Sequence, residues 1–213
     1  MAGPNPHFWQ DKFTAGTMPW DRGQPSPQLA KWLGQLGAAG GSPGAPVRVA
    51  VPGCGLGHEV VVLAQAGLDV TGIDYTPAAV QRSQDALAAA FGGTAPPHAR
   101  IVQADVLAWS PPAPLDAVYE QTCLCALHPD HWVAYGEQLQ RWLRPGGRLL
   151  ALLMQMPRPS AADGVIEGPP YHCDINAVRA VLPERHWAWP RPPYERVPHP
   201  MGPTELAVVL VRR

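Results

Sequence analysis

One stretch of this sequence combines glycines and a carboxylate at a spacing that could bind a nucleoside. Three glycines alternate within it, at Gly53, Gly55 and Gly57. A glycine turn lets the backbone approach a ligand closely, because glycine tolerates positive φ and carries no side chain. The turn follows an apolar run at 47–51 and precedes another at 60–66, and a β-branched run at 70–73 then ends at Asp74. This pattern predicts a strand, a helix and a second strand, whose terminal carboxylate can accept both hydroxyls of a ribose.

The glycine spacing leaves more than one interpretation of this turn. A dinucleotide-binding fingerprint has a third glycine three residues after its second one, and His58 occupies that position here. The spacing therefore disfavours a nicotinamide dinucleotide. That alternative stays open at this point, as does a purely structural turn.

Two further apolar runs end beside acidic residues. The run at 99–104 precedes Asp105, and the run at 115–119 precedes Glu120. The carboxyl ends of parallel strands line the ligand crevice of an open α/β sheet, so both residues are candidate ligand contacts. Asp105 could instead cap a turn. A purely structural role is harder to find for Glu120 at the end of an apolar strand.

Composition restricts the class of protein. At 213 residues we expect a single domain over 1–213, and the 16 basic and 17 acidic residues nearly balance, without a basic run. Nucleic acid and anionic membranes are therefore disfavoured as partners, and we expect a monomer that acts on a small molecule. The sequence has no apolar stretch near the length of a membrane span, no signal peptide, and four cysteines without a metal-binding spacing. These features predict a cytoplasmic protein without a metal site.

The first 40 residues are predicted to form a helical segment ahead of a core at 47–213. Asn5 and Pro6 are typical of a helix start, and a helix to residue 14 would place Trp9 and Phe13 on one face. Trp20 follows in a loop without helix or strand periodicity, where an exposed tryptophan needs a reason. A second helix is expected at 28–36, and the glycine-rich AAGGSPGAP is expected to be a flexible linker.

The remaining pattern predicts alternating helices and strands. The expected helices are 76–91, 129–142 and 174–182, and the expected strands are 148–154 and 205–211. The segment 183–203 contains seven prolines, too many for regular interior structure.

Five blocks of the sequence together resemble one enzyme family. They are FWQDKFTAGTMPWDRG, VAVPGCGLGHEVVVLAQAGLDVTGIDYTPAAV, YEQTCLCALHP, LRPGG and GPPY, in this order. They resemble the thiopurine S-methyltransferase superfamily, and most of all its thiol, thiocyanate and halide methyltransferase branch. The resemblance implies a class I methyltransferase of Rossmann-like α/β fold. It further implies a seven-stranded, mostly parallel sheet with an antiparallel last strand, helices on both faces and an N-terminal helical lid.

The cofactor implied by the resemblance is S-adenosylmethionine, with S-adenosylhomocysteine as its product. Trp9 and Trp20 match lid tryptophans of the family, and Phe13 stands where another tryptophan is usual. Aromatic faces stabilise a cation such as the sulfonium by about 0.5–2 kcal/mol. Without the resemblance, Trp9 and Phe13 could equally be a helix face packed on the core. The expected cofactor-binding residues are Trp9, Phe13, Trp20, Gly53, Cys54, Gly55, Gly57, Asp74, Tyr75, Asp105, Val106, Glu120 and Gln121.

The methyl acceptor is expected to be a small soft nucleophile: a thiol, hydrosulfide, thiocyanate, a halide, or a selenium or tellurium species. Such nucleophiles need little acid–base help for an in-line displacement, and the histidines show no triad or metal spacing. Tyr171 of GPPY matches a family residue near the acceptor, where its hydroxyl could orient or deprotonate a thiol, although it could instead only pack the loop. Gln121 stands where some relatives have arginine, which disfavours a thiopurine-type acceptor. Three alternatives remain: a thiopurine-type aromatic thiol methyltransferase, a nicotinamide-dependent oxidoreductase and a non-catalytic cofactor-binding module.

Overall fold

A computed structural model describes residues 5–37 and 45–213. Most of the linker expected at AAGGSPGAP lies outside these residues. The strands are β1 (Arg48–Pro52), β2 (Asp69–Asp74), β3 (Ala99–Gln103), β4 (Leu115–Gln121), β5 (Leu143–Gln155), β6 (Trp187–Ala188), β7 (Glu195–Pro198) and β8 (Thr204–Arg212). Every strand expected from the sequence is present, and β6 and β7 are additional.

The strands form one mixed sheet in the order β3-β2-β1-β4-β5-β8-β6, with β7 also paired to β8. The pairs among β3, β2, β1, β4 and β5 are parallel. The last long strand, β8, runs antiparallel to β5, which confirms the class I methyltransferase topology. The sheet has eight strands where seven were expected. The two short strands β6 and β7 share one position, because they pair with different ends of β8. Prolines between them interrupt what would otherwise be one edge strand.

Helices lie on both faces of the sheet. They are α1 (Pro6–Ala15), α2 (Pro27–Gly37), α3 (His58–Gln65), α4 (Pro77–Ala90), α5 (Cys123–Ala126), α6 (Trp132–Trp142) and α7 (Ile175–Val181), with short 3₁₀ helices at Pro129–His131 and Pro159–Asp163. All helices expected from the sequence are confirmed. Helix α5 and the two 3₁₀ turns are too short to produce a periodic pattern. No helix within residues 5–37 and 45–213 is long and apolar enough to cross a membrane.

The side chains of β5 show how one sheet separates two cores. Leu149, Ala151 and Leu153 face the core that also contains α5, α6 and α7. Leu150 and Leu152 face the opposite core, which contains α2, α3 and α4. Successive side chains of a strand point to opposite faces, so a strand buried on both sides has an uninterrupted apolar sequence.

The sheet also determines where a ligand can bind. The chain proceeds outward from β1 through β2 to β3, and then returns to the other side of β1 as β4. Such a reversal of strand order opens a crevice at the carboxyl ends of the strands. The turn after β1, the end of β2 and the segments after β3 and β4 therefore converge at one edge.

Candidate active site

A cavity of about 620 Å³ opens at this edge of the sheet, within the range of about 300–1,000 Å³ typical of small-molecule sites. Nine residues predicted from the sequence line it: Trp9, Phe13, Trp20, Gly53, Gly55, Asp74, Tyr75, Asp105 and Val106. Five others do not: Cys54, Gly57, Glu120, Gln121 and Tyr171.

The first two glycines of the turn form part of the cavity wall. Gly53 has φ +61° and Gly55 has φ +53°, a conformation that other residues rarely adopt. A hydrogen bond from the Cys54 backbone N–H to the Ile73 carbonyl, 3.0 Å long, attaches the turn to β2. A Cβ atom at Gly55 would lie 3.7 Å from the Phe13 ring, so the lid contacts the turn directly.

Asp74 is a fixed, buried carboxylate in the wall. Its Oδ1 accepts hydrogen bonds from the backbone N–H and the hydroxyl of Thr76, at 2.9 and 2.8 Å. Its Oδ2 accepts one from the Gly55 N–H at 3.1 Å. Burial raises the pKa of Asp74, and these hydrogen bonds oppose that shift. Oδ1 accepts two of these hydrogen bonds and Oδ2 accepts one, so Oδ2 is the oxygen better able to accept a hydrogen bond from a ligand.

The segment after β3 supplies the next part of the wall. Asp105 lines the cavity and also caps a turn, because its Oδ1 accepts a hydrogen bond from the Leu107 N–H at 2.8 Å. Both roles considered from the sequence therefore coexist. Val106 beside it is buried. The pKa of Tyr75 is raised, first by burial and then by the negative charges of Asp74 and Asp105, so its phenol stays protonated.

Aromatic side chains of the lid cover the cavity. The ring of Trp20 lies edge-on to Trp9 and Phe13, with ring centres 5.4 and 6.1 Å apart. Phe8 packs edge-on against Trp9 at 5.1 Å. Trp9 and Phe13 are four residues apart and so share a face of α1, as expected. That face lies over the cavity.

Polar contacts stabilise the first helix of the lid and hold the lid onto the core. Asn5 caps α1 by accepting a hydrogen bond from the Phe8 N–H at 3.1 Å. The Gln10 side chain accepts one from the Ala78 N–H, at the start of α4, at 3.0 Å. Beyond Trp20, the Asp21 carboxylate lies 3.0 Å from His58 Nε2.

Two residues of the glycine turn serve packing. Gly57 precedes α3 with φ +79°, and a Cβ atom there would lie 2.8 Å from the Ser83 Cβ. The absence of a side chain at Gly57 therefore lets α3 pack against α4. Cys54 points into the core, where its Sγ lies 4.0 Å from the Ser83 hydroxyl and burial strongly raises its thiol pKa.

Glu120 and Gln121, at the end of β4, make internal contacts. The Glu120 carboxylate accepts a hydrogen bond from the Leu124 N–H at 2.7 Å and so caps α5. Burial raises the pKa of Glu120 to about 7. The Gln121 amide donates to the Glu205 carboxylate at 3.2 Å, and its oxygen accepts from the Tyr119 hydroxyl at 2.9 Å. Both residues stiffen the strand end beside the cavity.

Tyr171 lies just behind the cavity wall that Pro169 and Pro170 form. Its backbone N–H donates to the Cys125 carbonyl at 2.7 Å. Its ring packs edge-on against His128, with ring centres 5.3 Å apart. Burial raises the pKa of the Tyr171 phenol. A phenol with a raised pKa is a poor proton acceptor, so it is better suited to donate a hydrogen bond than to deprotonate a thiol.

Sequence reasoning missed the part of the wall that follows β4. Its lining residues include Thr122, Cys123, Cys125, Leu127, His128 and His131, joined by Lys12, Met154 and Met201 from elsewhere. Thr122 has φ +64°, a rare and costly conformation for a β-branched residue that often marks functional sites. The rule that strand ends line the crevice could have indicated 122–131. The same rule could have indicated Met154, at the end of the expected strand 148–154, whereas no local pattern indicates Met201.

Comparison with known proteins identifies the family. A family model described as thiopurine S-methyltransferase matches residues 4–191. The chain belongs to the thiopurine S-methyltransferase family. It is therefore an S-adenosylmethionine-dependent S-methyltransferase, as expected, and not a nicotinamide-dependent oxidoreductase.

Individual relatives within the family carry several activities in their names. The chain is 30% identical to a probable thiol methyltransferase 2 of Arabidopsis thaliana over 82% of its length and 70% of that protein. It is 27% identical to thiocyanate methyltransferase 1 of the same plant, over 82% and 68% of the two chains. A thiopurine S-methyltransferase of Legionella pneumophila is 26% identical, over 78% and 75%.

Solved structures agree on the fold. A magnesium protoporphyrin IX methyltransferase from Synechocystis, with bound S-adenosylhomocysteine, superposes with a TM-score of 0.71 at 19% identity, over 98% and 99% of the two chains. The cavity residues of the present chain fit S-adenosylmethionine. They provide backbone without side chains at Gly53 and Gly55, a buried carboxylate at Asp74, and the aromatic side chains of the lid.

Proposed function

We propose that this enzyme methylates a small soft nucleophile, such as a cysteine-type thiol, hydrosulfide, thiocyanate, a halide, or a selenium or tellurium species. The observation that carries this proposal is the chemistry of the wall after β4. Among the described residues there, Cys123, Cys125 and Leu127, with Met154 beside them, present apolar and sulfur-bearing surface to the cavity. The names of the thiol and thiocyanate methyltransferase relatives support the same acceptor class.

The distribution of charge supports a nucleophile that needs little activation. Among the described residues that line the cavity, the carboxylates are Asp74, the last residue of β2, and Asp105, which follows β3. No carboxylate lines it after β4 within the described chain. Burial raises the thiol pKa of Cys123 and Cys125, which keeps these residues neutral. Lys12 of the lid is the lining residue with a permanent positive charge, and it would favour an anionic acceptor.

The opposite part of the cavity would hold the cofactor. The turn at Gly53 and Gly55 would allow the amino-acid part to lie against the backbone, and Oδ2 of Asp74 would accept a ribose hydroxyl. Asp105 and Val106 would contact the adenine edge. These assignments rest on the strand-end positions of the residues and on the contacts described above.

The work of the protein in this reaction is alignment and exclusion of water. When bound, S-adenosylmethionine supplies a methyl group on a positively charged sulfur, which an attacking lone pair can displace. The aromatic faces of Trp9 and Trp20 cover the cavity and would stabilise positive charge there. The apolar wall after β4 would remove the hydration shell of a soft anion, which a small hard oxyanion gives up far less readily.

A panel of matched acceptors tests this proposal. With labelled S-adenosylmethionine, we expect turnover of thiocyanate, iodide and a thiol. We expect none of the alcohol with the same carbon skeleton or of a carboxylate at equal concentration. An alcohol has a pKa far above neutrality, whereas a thiol with a reference pKa of about 8.5 already supplies a few per cent of thiolate at pH 7.

The outcomes separate the rival functions. Efficient turnover of the alcohol would refute the proposal. Preference for an aromatic thiopurine over every small acceptor would support the thiopurine-type alternative, which the Legionella relative's name suggests. Binding of S-adenosylhomocysteine without turnover of any of these acceptors would refute the proposed acceptor class.

A further inference from the structure

We propose that the side chain of Met201 limits the size of the methyl acceptor. This inference rests on the proposed function and extends it, because it names a residue that selects small acceptors. Met201 belongs to the turn between β7 and β8, residues 199–203, and its half-buried side chain lines the cavity. Its role follows from the place of this turn in the sheet and from the contacts that fix the turn.

The strand order places this turn at one end of the cavity. Strand β2, which ends at Asp74, and strand β3, which precedes Asp105, lie on one side of β1. Strands β4, β5 and β8 lie on the other side. Because β8 runs antiparallel to β5, its first residue, Thr204, pairs with Gln155 at the end of β5. The turn before β8 therefore lies at the carboxyl end of β5, next to the cavity residue Met154.

The acceptor and the cofactor need different parts of the cavity. With the cofactor at the ends of β1, β2 and β3, the part that remains is bounded by α5, Met154 and Met201. An in-line displacement brings the attacking atom to the side of the methyl carbon opposite the sulfur, so the acceptor lies beyond the cofactor. The Met201 side chain then faces the part of the acceptor that points away from the reacting atom.

Hydrogen bonds within the turn fix the backbone of Met201. The His199 N–H donates to the Pro203 carbonyl at 2.9 Å, and the Gly202 N–H donates to the His199 carbonyl at 3.0 Å. Gly202 has φ +95°, which glycine adopts without strain. The Met201 N–H donates to His199 Nδ1 at 3.3 Å. Burial, and then the positive charge of Arg22, lowers the pKa of His199 to about 4, so its ring is neutral at pH 7 and can accept this bond.

The guanidinium of Arg22 joins both ends of the same turn. Its Nη2 donates to the Pro198 carbonyl at 2.6 Å and to the Glu205 carboxylate at 3.2 Å. Pro198 is the last residue of β7, and Glu205 lies at the start of β8. The Gln121 amide donates to the same carboxylate at 3.2 Å, which connects the turn to the end of β4. With its backbone held at both ends, Met201 stays in the cavity wall when an acceptor binds.

The test measures kcat/KM at one pH for linear alkanethiols from ethanethiol to hexanethiol, with thiocyanate as a small reference acceptor. These thiols differ in length but hardly in the acidity of the S–H group. In the wild type, we expect kcat/KM to decrease about 10-fold or more for each methylene beyond the length that the cavity accepts. Met201→Ala removes Cγ, Sδ and Cε, so this limit should move to thiols longer by about two or three carbon atoms. Turnover of thiocyanate should stay within about threefold of the wild type.

Two further variants separate size from other effects. Met201→Leu keeps the number of side-chain atoms, so the length limit should stay where it is in the wild type. Met156→Ala is the matched control, because Met156 follows β5 and packs against the core but is not among the described residues that line the cavity. An unchanged limit in Met201→Ala, or an equal shift in Met201→Leu or Met156→Ala, would overturn the inference. Thermal unfolding checks that each variant is folded.

A binding measurement on the wild type provides a readout besides activity. The methyl NMR signal of Met201 should move when butanethiol is added to the S-adenosylhomocysteine complex, and that of Met156 should not. An unmoved Met201 signal, or turnover of the alkanethiols without a length limit, would overturn the inference and leave the proposed function intact. Wild-type enzyme inactive on every alkanethiol and on thiocyanate would instead show that the proposed function is wrong.

Discussion

Replacing Asp74 by asparagine should weaken the binding of S-adenosylhomocysteine by about 10- to 150-fold. The sequence alone suggests that this carboxylate binds both ribose hydroxyls. In the structure, Oδ1 already accepts two hydrogen bonds from Thr76 and Oδ2 accepts one from Gly55, so we expect Oδ2 to make a single bond to the ribose. One charge-assisted hydrogen bond contributes about 1.5–3 kcal/mol, which corresponds to that range of dissociation constants.

The chain offers a matched control within the same strand. Asp69 and Asp74 stand at opposite ends of β2, and Asp69 pairs with Arg100 at 3.3 Å, away from the cavity. Isothermal titration calorimetry should find weaker binding in Asp74→Asn and wild-type affinity in Asp69→Asn. In Asp74→Asn, the new amide group would face the Gly55 N–H, and two donors facing each other could destabilise the turn. Thermal unfolding of each variant therefore checks that it is folded.

Two results would refute this reasoning. Wild-type affinity in a folded Asp74→Asn protein would remove Asp74 from the cofactor site, and equal losses in both variants would show a nonspecific effect of charge. A loss of about 1,000-fold or more would mean that Asp74 makes two bonds to the ribose, so that the Thr76 hydroxyl turns away when the cofactor binds.

Three other properties follow from the same contacts. Amide hydrogen exchange in 5–25 should slow when S-adenosylhomocysteine is added, because the lid aromatics then cover a ligand, while exchange in α7 stays constant; unchanged exchange in 5–25 would contradict a mobile lid. Burial raises the pKa of Glu120 to about 7, so this residue's contribution to the free energy of unfolding is complete below pH 4.5 and decreases by about 3 kcal/mol as the pH rises through 7. Denaturant titrations at several pH values should show that the free energy of unfolding depends less on pH in Glu120→Gln than in the wild type. An equal pH dependence in the two proteins would contradict the raised pKa. Gly57→Ala should lower the free energy of unfolding by about 2–4 kcal/mol, because its Cβ would lie 2.8 Å from Ser83 at positive φ, and an unchanged melting temperature would exclude that packing role.

Several features of this protein could be predicted from its sequence because they depend on local chemistry. Apolar runs with the periods of helices and strands predicted the long elements, and the order of these elements with the family blocks predicted the sheet. Asn5 caps its helix, and Trp9 and Phe13 share one face, because both relations are set by helical spacing. Gly53, Gly55 and Asp74 meet at the cavity because a strand-helix-strand unit brings its first turn to the end of its second strand.

Other features depended on tertiary structure. The sequence contains Gly57, Glu120 and Gln121 at positions typical of cofactor contacts, but packing against α4, α5 and β8 occupies them, and no local pattern reveals such distant neighbours. The surroundings of His128 also depend on folding, because Tyr171, against which its ring packs, lies 43 positions along the chain. A residue's intrinsic chemistry is set by its type, whereas the partners that use up or free its hydrogen-bonding atoms are brought to it only by folding.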